Sequence, residues 1–211
     1  MDIQTIAQKL FTGARASHDW DHTIRVLRLC EHIGSEERAD MDVLRVAAVL
    51  HDIGRPHQDA CLGSLCHAVH GAMLAEPIVA MLVFSPEQKD NILHCIRTHR
   101  FRGMHVPETL EAKVLFDADK LDVIGAIGAA RTLGYALKAG TPFFTEPSIK
   151  FIQTGEEEPG ELHSAYHEYL YKLRKISSML YTNAGRRLAV ERQNFLNQYF
   201  DELAAEYRGQ R

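Results

Sequence analysis

Residues 44–54 read LRVAAVLHDIG, and this stretch decides how the rest of the chain folds. Leu44, Ala47, Ala48 and His51 recur at i, i+3, i+4 and i+7, which is one face of an α-helix. The face is apolar until its last member, an imidazole. A polar group that extends a core-facing stripe is what a buried ligand position requires. Asp52 follows at once. Neighbours on a helix point about 100° apart, so this pair can grip one ion only at a helix end or where several helices converge. Gly54 and Pro56 stop the helix just beyond the pair and create such an end.

Working outward, the helical period continues nearly throughout. Residues 2–12 read as a short amphipathic helix. Residues 19–33 form a second, with Ile24, Leu27 and Cys30 on its apolar side, and the third spans 41–53. The stretch GRPHQDACLGS, residues 54–64, reads as irregular. Helix resumes near Leu65 and runs toward Phe84, with Pro77 either kinking it or starting a new segment. Ser85-Pro86-Glu87-Gln88 carries a serine N-cap, a proline at the first helical position and a glutamine placed for a capping box. Ile92, Ile96 and His99 share one face of the helix that follows. A loop with Gly103 and Pro107 leads to a long helix over 108–138, with Leu115, Asp119, Asp122 and Ala126 along one side. Residues 139–160, AGTPFFTEPSIKFIQTGEEEPG, break the pattern and predict a long irregular loop, a mobile flap near the cleft. Two helices, about 161–180 and 183–207, close the chain. There is no strand-length alternation outside the flap and no internal repeat. The expected fold is an all-α bundle: one domain over 1–211, its site built from residues 22–119, with the C-terminal helices about 161–207 packed on it.

Composition sets the limits. At 211 residues and 45% hydrophobic, the chain can bury a real core. The formal charge of −4 has both signs interspersed, and no basic stripe argues for duplex nucleic acid. No run approaches the roughly 18 apolar residues of a membrane span. The start, MDIQTIAQKLFTG, does not read as a signal peptide, so no membrane partner is expected. Cys30, Cys61, Cys66 and Cys95 form no C-x-x-C, which fits reduced thiols in a cytoplasmic protein. Cys61, Cys66 and His67 are an alternative zinc set, but no second ligand pair lies nearby.

The chemistry gathers on His22, His51, Asp52 and Asp119. Each alone has an ordinary reading, and with 12 histidines most copies must be ordinary. Together they offer two imidazoles and two carboxylates, a set suited to a divalent metal that activates water. Packing alone explains them poorly, because buried carboxylates are costly without a counter-charge. Mn2+, Mg2+, Co2+, Fe2+ and Zn2+ are all chemically allowed. The two imidazoles argue against a pure Mg2+ preference, and Mn2+ is the ion expected.

His22, then His51-Asp52, then Asp119 reproduces the H…HD…D signature of the HD-domain metal-dependent phosphohydrolases. The stretches SHDWDHTIRVLRL (17–29), RVAAVLHDIG (45–54), EAKVLFDADKLDVIGAIGAAR (111–131) and MLYTNAGRRLAVERQNFLNQYFDEL (179–203) resemble the YpgQ/YedJ-type subfamily. The likeness runs from about residue 17 to 207. It implies a helical fold, one divalent metal, and hydrolysis of phosphate ester or anhydride bonds. The YpgQ-type members imply cleavage of a nucleoside triphosphate to monophosphate and pyrophosphate. Family membership does not itself set the substrate.

Dinuclear members of the superfamily use the order H…HD…H…H…D, which His70 and His99 allow here, with His67 and His94 as their rivals. These histidines could hold a second ion, bind phosphate or donate a proton. Asp52 is the candidate to touch both metal and attacking water, and His70 and Lys120 complete the catalytic set. His18, Arg55, His99 and Asp122 are the candidate substrate-binding residues. Lys120 could instead be a surface lysine, and His18 an exposed residue near a helix start. For Asp122 the alternative is to orient a ligand. Some nucleotide-cleaving members of the superfamily carry an acidic residue in this area, so an arginine at 55 argues against direct transfer of their acid/base mechanism. Arg131 is open to phosphate contact or to a helix–helix salt bridge. The resulting expectation is a metal-dependent phosphohydrolase with a small phosphorylated substrate, a nucleotide. The alternatives are a phosphodiesterase or nucleotidase on the same metal, a di-iron oxygenase using His70 and His99, and a nucleotide sensor that does not cleave.

Overall fold

The computed structural model describes residues 3–10, 20–61, 64–100 and 105–211. They form eleven α-helices and one 3-10 helix, with no strand among the described residues. The chain divides into two compact units: Met1–Asp119 with Leu180–Gly185, and Lys120–Met179 with Arg186–Arg211. No helix among the described residues is long and apolar enough to cross a membrane.

The first unit is built around α3, Met41–Leu50. From Val43 to Leu50 only Arg45 is exposed, so the stripe read from the sequence widens to almost the whole surface of the helix. It packs against α2, Trp20–Glu37, and α6, Pro86–Thr98, and α6 packs on α5, His67–Ala80. The start of α3 is fixed by Asp40, whose carboxylate accepts from Asp42 N at 3.1 Å and Val43 N at 3.2 Å. Gln88 Nε2 donates to the other Asp40 oxygen at 2.8 Å, and Glu111 Oε1 accepts from Asp40 N at 2.8 Å. One cap therefore ties α3 to α6 and to α7, Leu110–Leu121. The capping box at Ser85 and Gln88 forms as the sequence predicts.

Several boundaries differ from the sequence expectation. Residues 54–64 are not wholly irregular: Arg55–Ala60 form α4, because Pro56 needs no N–H in a first turn and Gln58 N donates to Gly54 O at 3.2 Å. Pro77 does not break α5; it lies on the exposed side, where water can satisfy the carbonyl its ring leaves unbonded. The long helix expected over 108–138 is two helices. After α7 the turn tightens, with Val123 N donating to Lys120 O and Ile124 N to Leu121 O. Ile124 is extended, and α8, Gly125–Ala139, opens on Gly125 at φ +76. Arg192 Nη1 caps the broken end by donating to Leu121 O at 2.7 Å.

In the second unit, residues 139–160 carry one short helix, α9, Ile149–Thr154, capped by Ser148, within otherwise irregular chain. Glu161 holds this stretch. Its carboxylate accepts from Ser148 N, Ser148 Oγ and Glu158 N, each at 2.7 Å, and lies 3.0 Å from His167 Nε2. With Glu161 so used, the next helix starts later than expected: Ser164 caps α10, Ala165–Tyr171, and a 3-10 helix follows over Leu173–Met179. The closing helix α11 runs Asn183–Tyr207.

Candidate metal centre

Four of the sequence-predicted residues come together in the first unit. His22 Nε2 lies 3.4 Å from His51 Nε2, 3.8 Å from Asp52 Oδ2 and 3.4 Å from Asp119 Oδ1. His51 Nε2 is 3.9 Å from Asp52 Oδ2. His22 and His51 are fully buried and Asp52 is 1% exposed. His22 comes from the first turns of α2, His51 and Asp52 from the end of α3, and Asp119 from α7. The adjacent pair can act together because it leaves the helix: His51 is the C-cap of α3, and Asp52 already stands in the turn that follows.

Asp52 faces two ways. Its Oδ2 turns to His22 and His51, while its Oδ1 lies 3.4 Å from both His67 Nε2 and His99 Nε2. His67 Nε2 and His99 Nε2 are 3.2 Å apart. Arg55 Nη2 approaches the same group, 3.0 Å from His67 Nε2 and 3.5 Å from Asp52 Oδ1.

The ring tautomers follow from what stands behind each imidazole. His51 Nδ1 donates to Ala48 O and His99 Nδ1 to Ile96 O, both at 2.7 Å. Each is the C-cap of its helix and satisfies a carbonyl that the helix end leaves unbonded. His67 Nδ1 donates to Gln58 Oε1 at 2.7 Å, and Arg55 Nη1 donates to the same oxygen at 2.9 Å, which fixes the amide orientation. Three inward Nε2 atoms thus carry lone pairs rather than hydrogens. Burial pushes the His51 imidazole down to about 4 and that of His67 to about 2, against the pull of Asp52, so both rings are neutral at pH 7. Neutral imidazoles with lone pairs converging beside carboxylates repel one another unless a cation lies among them. The donor set of His22, His51 and Asp52, with Asp119 beside His22, therefore fits a divalent metal, and the His51 ring is oriented from behind by Ala48 O.

The remaining predicted residues divide. His99 joins the site. His67, the rival, takes the place the sequence analysis gave to His70. His67 lies at the start of α5, where Gly54 and Gly71 let the backbone of the HD turn approach. His70 instead packs its ring on His57, with centroids 4.7 Å apart, and its buried Nε2 has no hydrogen-bond partner. His94 is committed elsewhere, as its Nε2 accepts from Glu108 N at 3.1 Å. Arg55 reaches the centre. Asp122 is buried and ion-paired with Arg131, which is the salt-bridge alternative for that arginine. Lys120 is half-buried in the last turn of α7. His18 lies outside the described residues. The alternative zinc set does not assemble: Cys61 is exposed, Cys66 half-buried, and His67 faces Asp52.

Two residues were missed by sequence reasoning. Gln58 orients both Arg55 and His67; its signal is the run Asp52, Arg55, Gln58 at i+3 spacing, legible only once 55–60 is known to be helical. Asp117 is fully buried, and accepts from Tyr181 N at 2.9 Å, Thr182 N at 2.7 Å and Thr182 Oγ1 at 2.6 Å. It stands two residues from Asp119, on the opposite side of α7.

The chain is similar to known proteins in sequence and in fold. The HD domain family model matches residues 19–124. The uncharacterized protein YpgQ of Bacillus subtilis (strain 168) is 30% identical over 98% of this chain and 93% of its own length. The crystal structure of B. subtilis YpgQ in complex with ADP superposes with a TM-score of 0.72 at 29% identity, covering 97% of this chain and 95% of that one. An HD-superfamily hydrolase from Bacillus thuringiensis superposes with a TM-score of 0.73 at 25% identity, covering 98% and 95%. A predicted HD superfamily hydrolase from an uncultured Thermotogales bacterium gives 0.68 at 27% identity, covering 98% and 91%.

Proposed function

The chain belongs to the HD-domain family of metal-dependent phosphohydrolases, and from that premise we propose that it cleaves a nucleoside triphosphate to the monophosphate and pyrophosphate. The observation that carries the reading is the buried group of His22, His51 and Asp52, with Asp119 against His22 and a fixed guanidinium on the other side of Asp52. His22, His51, Asp52 and Asp119 would hold one divalent ion, which we take as Mn2+; when bound it would lower the pKa of a water and offset charge on the phosphoryl group. The chain's own residues do the rest. Asp52 is held between two clusters, so its carboxylate is positioned to orient the attacking water. Arg55, with 18% of its side chain exposed, brings permanent positive charge for a phosphate oxygen. His67 and His99 face the centre with acceptor Nε2 atoms, so we assign them to positioning Asp52 and Arg55 rather than to proton donation. Lys120 follows Asp119 directly in the chain, and we assign it a charge-neutralising role on that adjacency alone.

The solved complex of YpgQ with ADP supports a nucleotide as the ligand class. The buried free thiols of Cys30 and Cys95 support a cytoplasmic setting. The di-iron oxygenase reading needs a second ion among Asp52, His67 and His99, where the guanidinium of Arg55 already lies.

Product analysis tests the proposal. With a nucleoside triphosphate and Mn2+, monophosphate and pyrophosphate appear together, without a diphosphate intermediate. Stepwise loss of single phosphates moves the protein to the nucleotidase class. Retained metal with no release across nucleotides makes it a sensor.

A further inference from the structure

We propose that Arg55 is a built-in cation that occupies the second half of the centre and holds it to one metal ion. The inference rests on the metal-site reading above, and it concerns only the cluster on the other side of Asp52.

That cluster has the donor set of a second metal site. Asp52 Oδ1, His67 Nε2 and His99 Nε2 lie within 3.2 to 3.4 Å of one another, all buried. The Nδ1 hydrogens of His67 and His99 are both spent, on Gln58 Oε1 and Ile96 O. What faces inward is two lone pairs and a carboxylate oxygen, with no donor among them. Such a hole requires positive charge.

Arg55 meets the requirement. Its Nη2 donates to His67 Nε2 at 3.0 Å and lies 3.5 Å from Asp52 Oδ1, while its Nη1 is anchored on Gln58 Oε1 at 2.9 Å. The spacing is local: Asp52, Arg55 and Gln58 are each three residues apart across the turn into α4, and so share one side. Gln58 does two jobs with one oxygen. It sets the tautomer that leaves His67 Nε2 an acceptor, and it aims the guanidinium at that acceptor.

A guanidinium differs from a metal ion in ways that matter here. It has no lone pair to yield to another cation, it stays charged at any working pH, and it is tethered. A second divalent ion entering this cluster has to displace Arg55 or sit against its positive charge. The chain therefore carries the ligands of a two-ion centre but operates with one ion.

Metal counting tests this. Chelator-stripped protein is equilibrated with excess Mn2+, and bound metal is measured by elemental analysis and by Mn2+ electron paramagnetic resonance. Wild type takes up one ion per chain, magnetically isolated. Arg55→Ala takes up two, an approximately twofold rise in metal content with an exchange-coupled signal, and Arg55→Ala combined with His67→Ala returns to one. Two coupled ions in wild type overturn the proposal, and this measurement needs no variant to fold. One ion in both wild type and folded Arg55→Ala also overturns it, while leaving the four-ligand site intact. No ion in wild type overturns the metal-site reading itself.

Discussion

Gly54 and Gly71 bring two stretches of backbone into direct contact. A Cβ on Gly54 would stand 2.3 Å from His67 O and 2.7 Å from Gly71 N, whereas a Cβ on Gly71 would meet Gly54 N at 3.4 Å. This approach sets His67 beside Asp52. Gly54→Ala has to push the start of α5 away from the HD turn, at a cost of about 1–3 kcal/mol. Gly71→Ala costs less. Urea midpoints of the two variants check the order, and equal midpoints contradict it.

Removing a ligand of the first cluster removes the metal without unfolding the helices. Asp52→Ala and His51→Ala each lose bound metal and nearly all hydrolysis, with far-ultraviolet circular dichroism unchanged. Full metal occupancy in both variants contradicts the assignment of the site.

Asp117 and Asp119 are close in sequence and divided in task. Asp117→Ala strands the N–H groups of Tyr181 and Thr182 together with the Thr182 hydroxyl, and destabilises the protein by about 3 kcal/mol. Asp119→Ala loses metal at a smaller cost in stability. Paired denaturation and metal analysis separate the two effects, and the reverse pattern would exchange the roles assigned to these carboxylates.

The clasp at Glu161 is sensitive to acid. Hydrogen bonds from the backbone of Ser148 and Glu158 hold its carboxyl down to about 2. A carboxylate depressed in the folded state contributes stability that is present above its ordinary range and is lost as pH falls toward the folded value. Residues 148–160 therefore resist acid-active protease near pH 4.5 and open progressively toward pH 2. Glu161→Ala opens them at neutral pH, where trypsin reads the change at Lys150. Equal cleavage of wild type and variant at neutral pH contradicts the clasp.

Much of this was legible in the sequence, and the reasons differ by element. The stripe Leu44, Ala47, Ala48, His51 announces α3 and its buried end, because periodicity reports burial directly. The capping box at Ser85 is a local signal and forms locally. The approach of His22 to His51, Asp52 and Asp119 was readable because the HD pair closes an apolar face at a helix end. The choice of His67 over His70 was not readable. The two lie one helical turn apart, and what separates them is a backbone contact between Gly54 and Gly71, distant in the chain. The break at Asp122–Ile124 was hidden for a related reason: no proline marks it within an apolar helical pattern, and it is stabilised by Arg192, about 70 positions away. The segment 139–160 reads from its composition as a long irregular loop or mobile flap, while Glu161, the residue that ties it down, falls just past its end.

The C-cap histidines bear on how such a centre can be inherited. His51 is oriented by Ala48 and His99 by Ile96, each by a carbonyl three positions upstream in the same helix. The instruction that aims each ring is therefore contiguous in the chain and travels with it. Loops can lengthen, and the remainder of the helix can exchange its side chains, without rewriting that instruction. A protein with a histidine at the end of a buried helix already holds a pre-aimed ligand before any metal chemistry is selected. A second such helix end, brought alongside by packing alone, gives the next. On this view a metal centre of this kind can be assembled from helix terminations one substitution at a time, and a designer can transplant it in the same units.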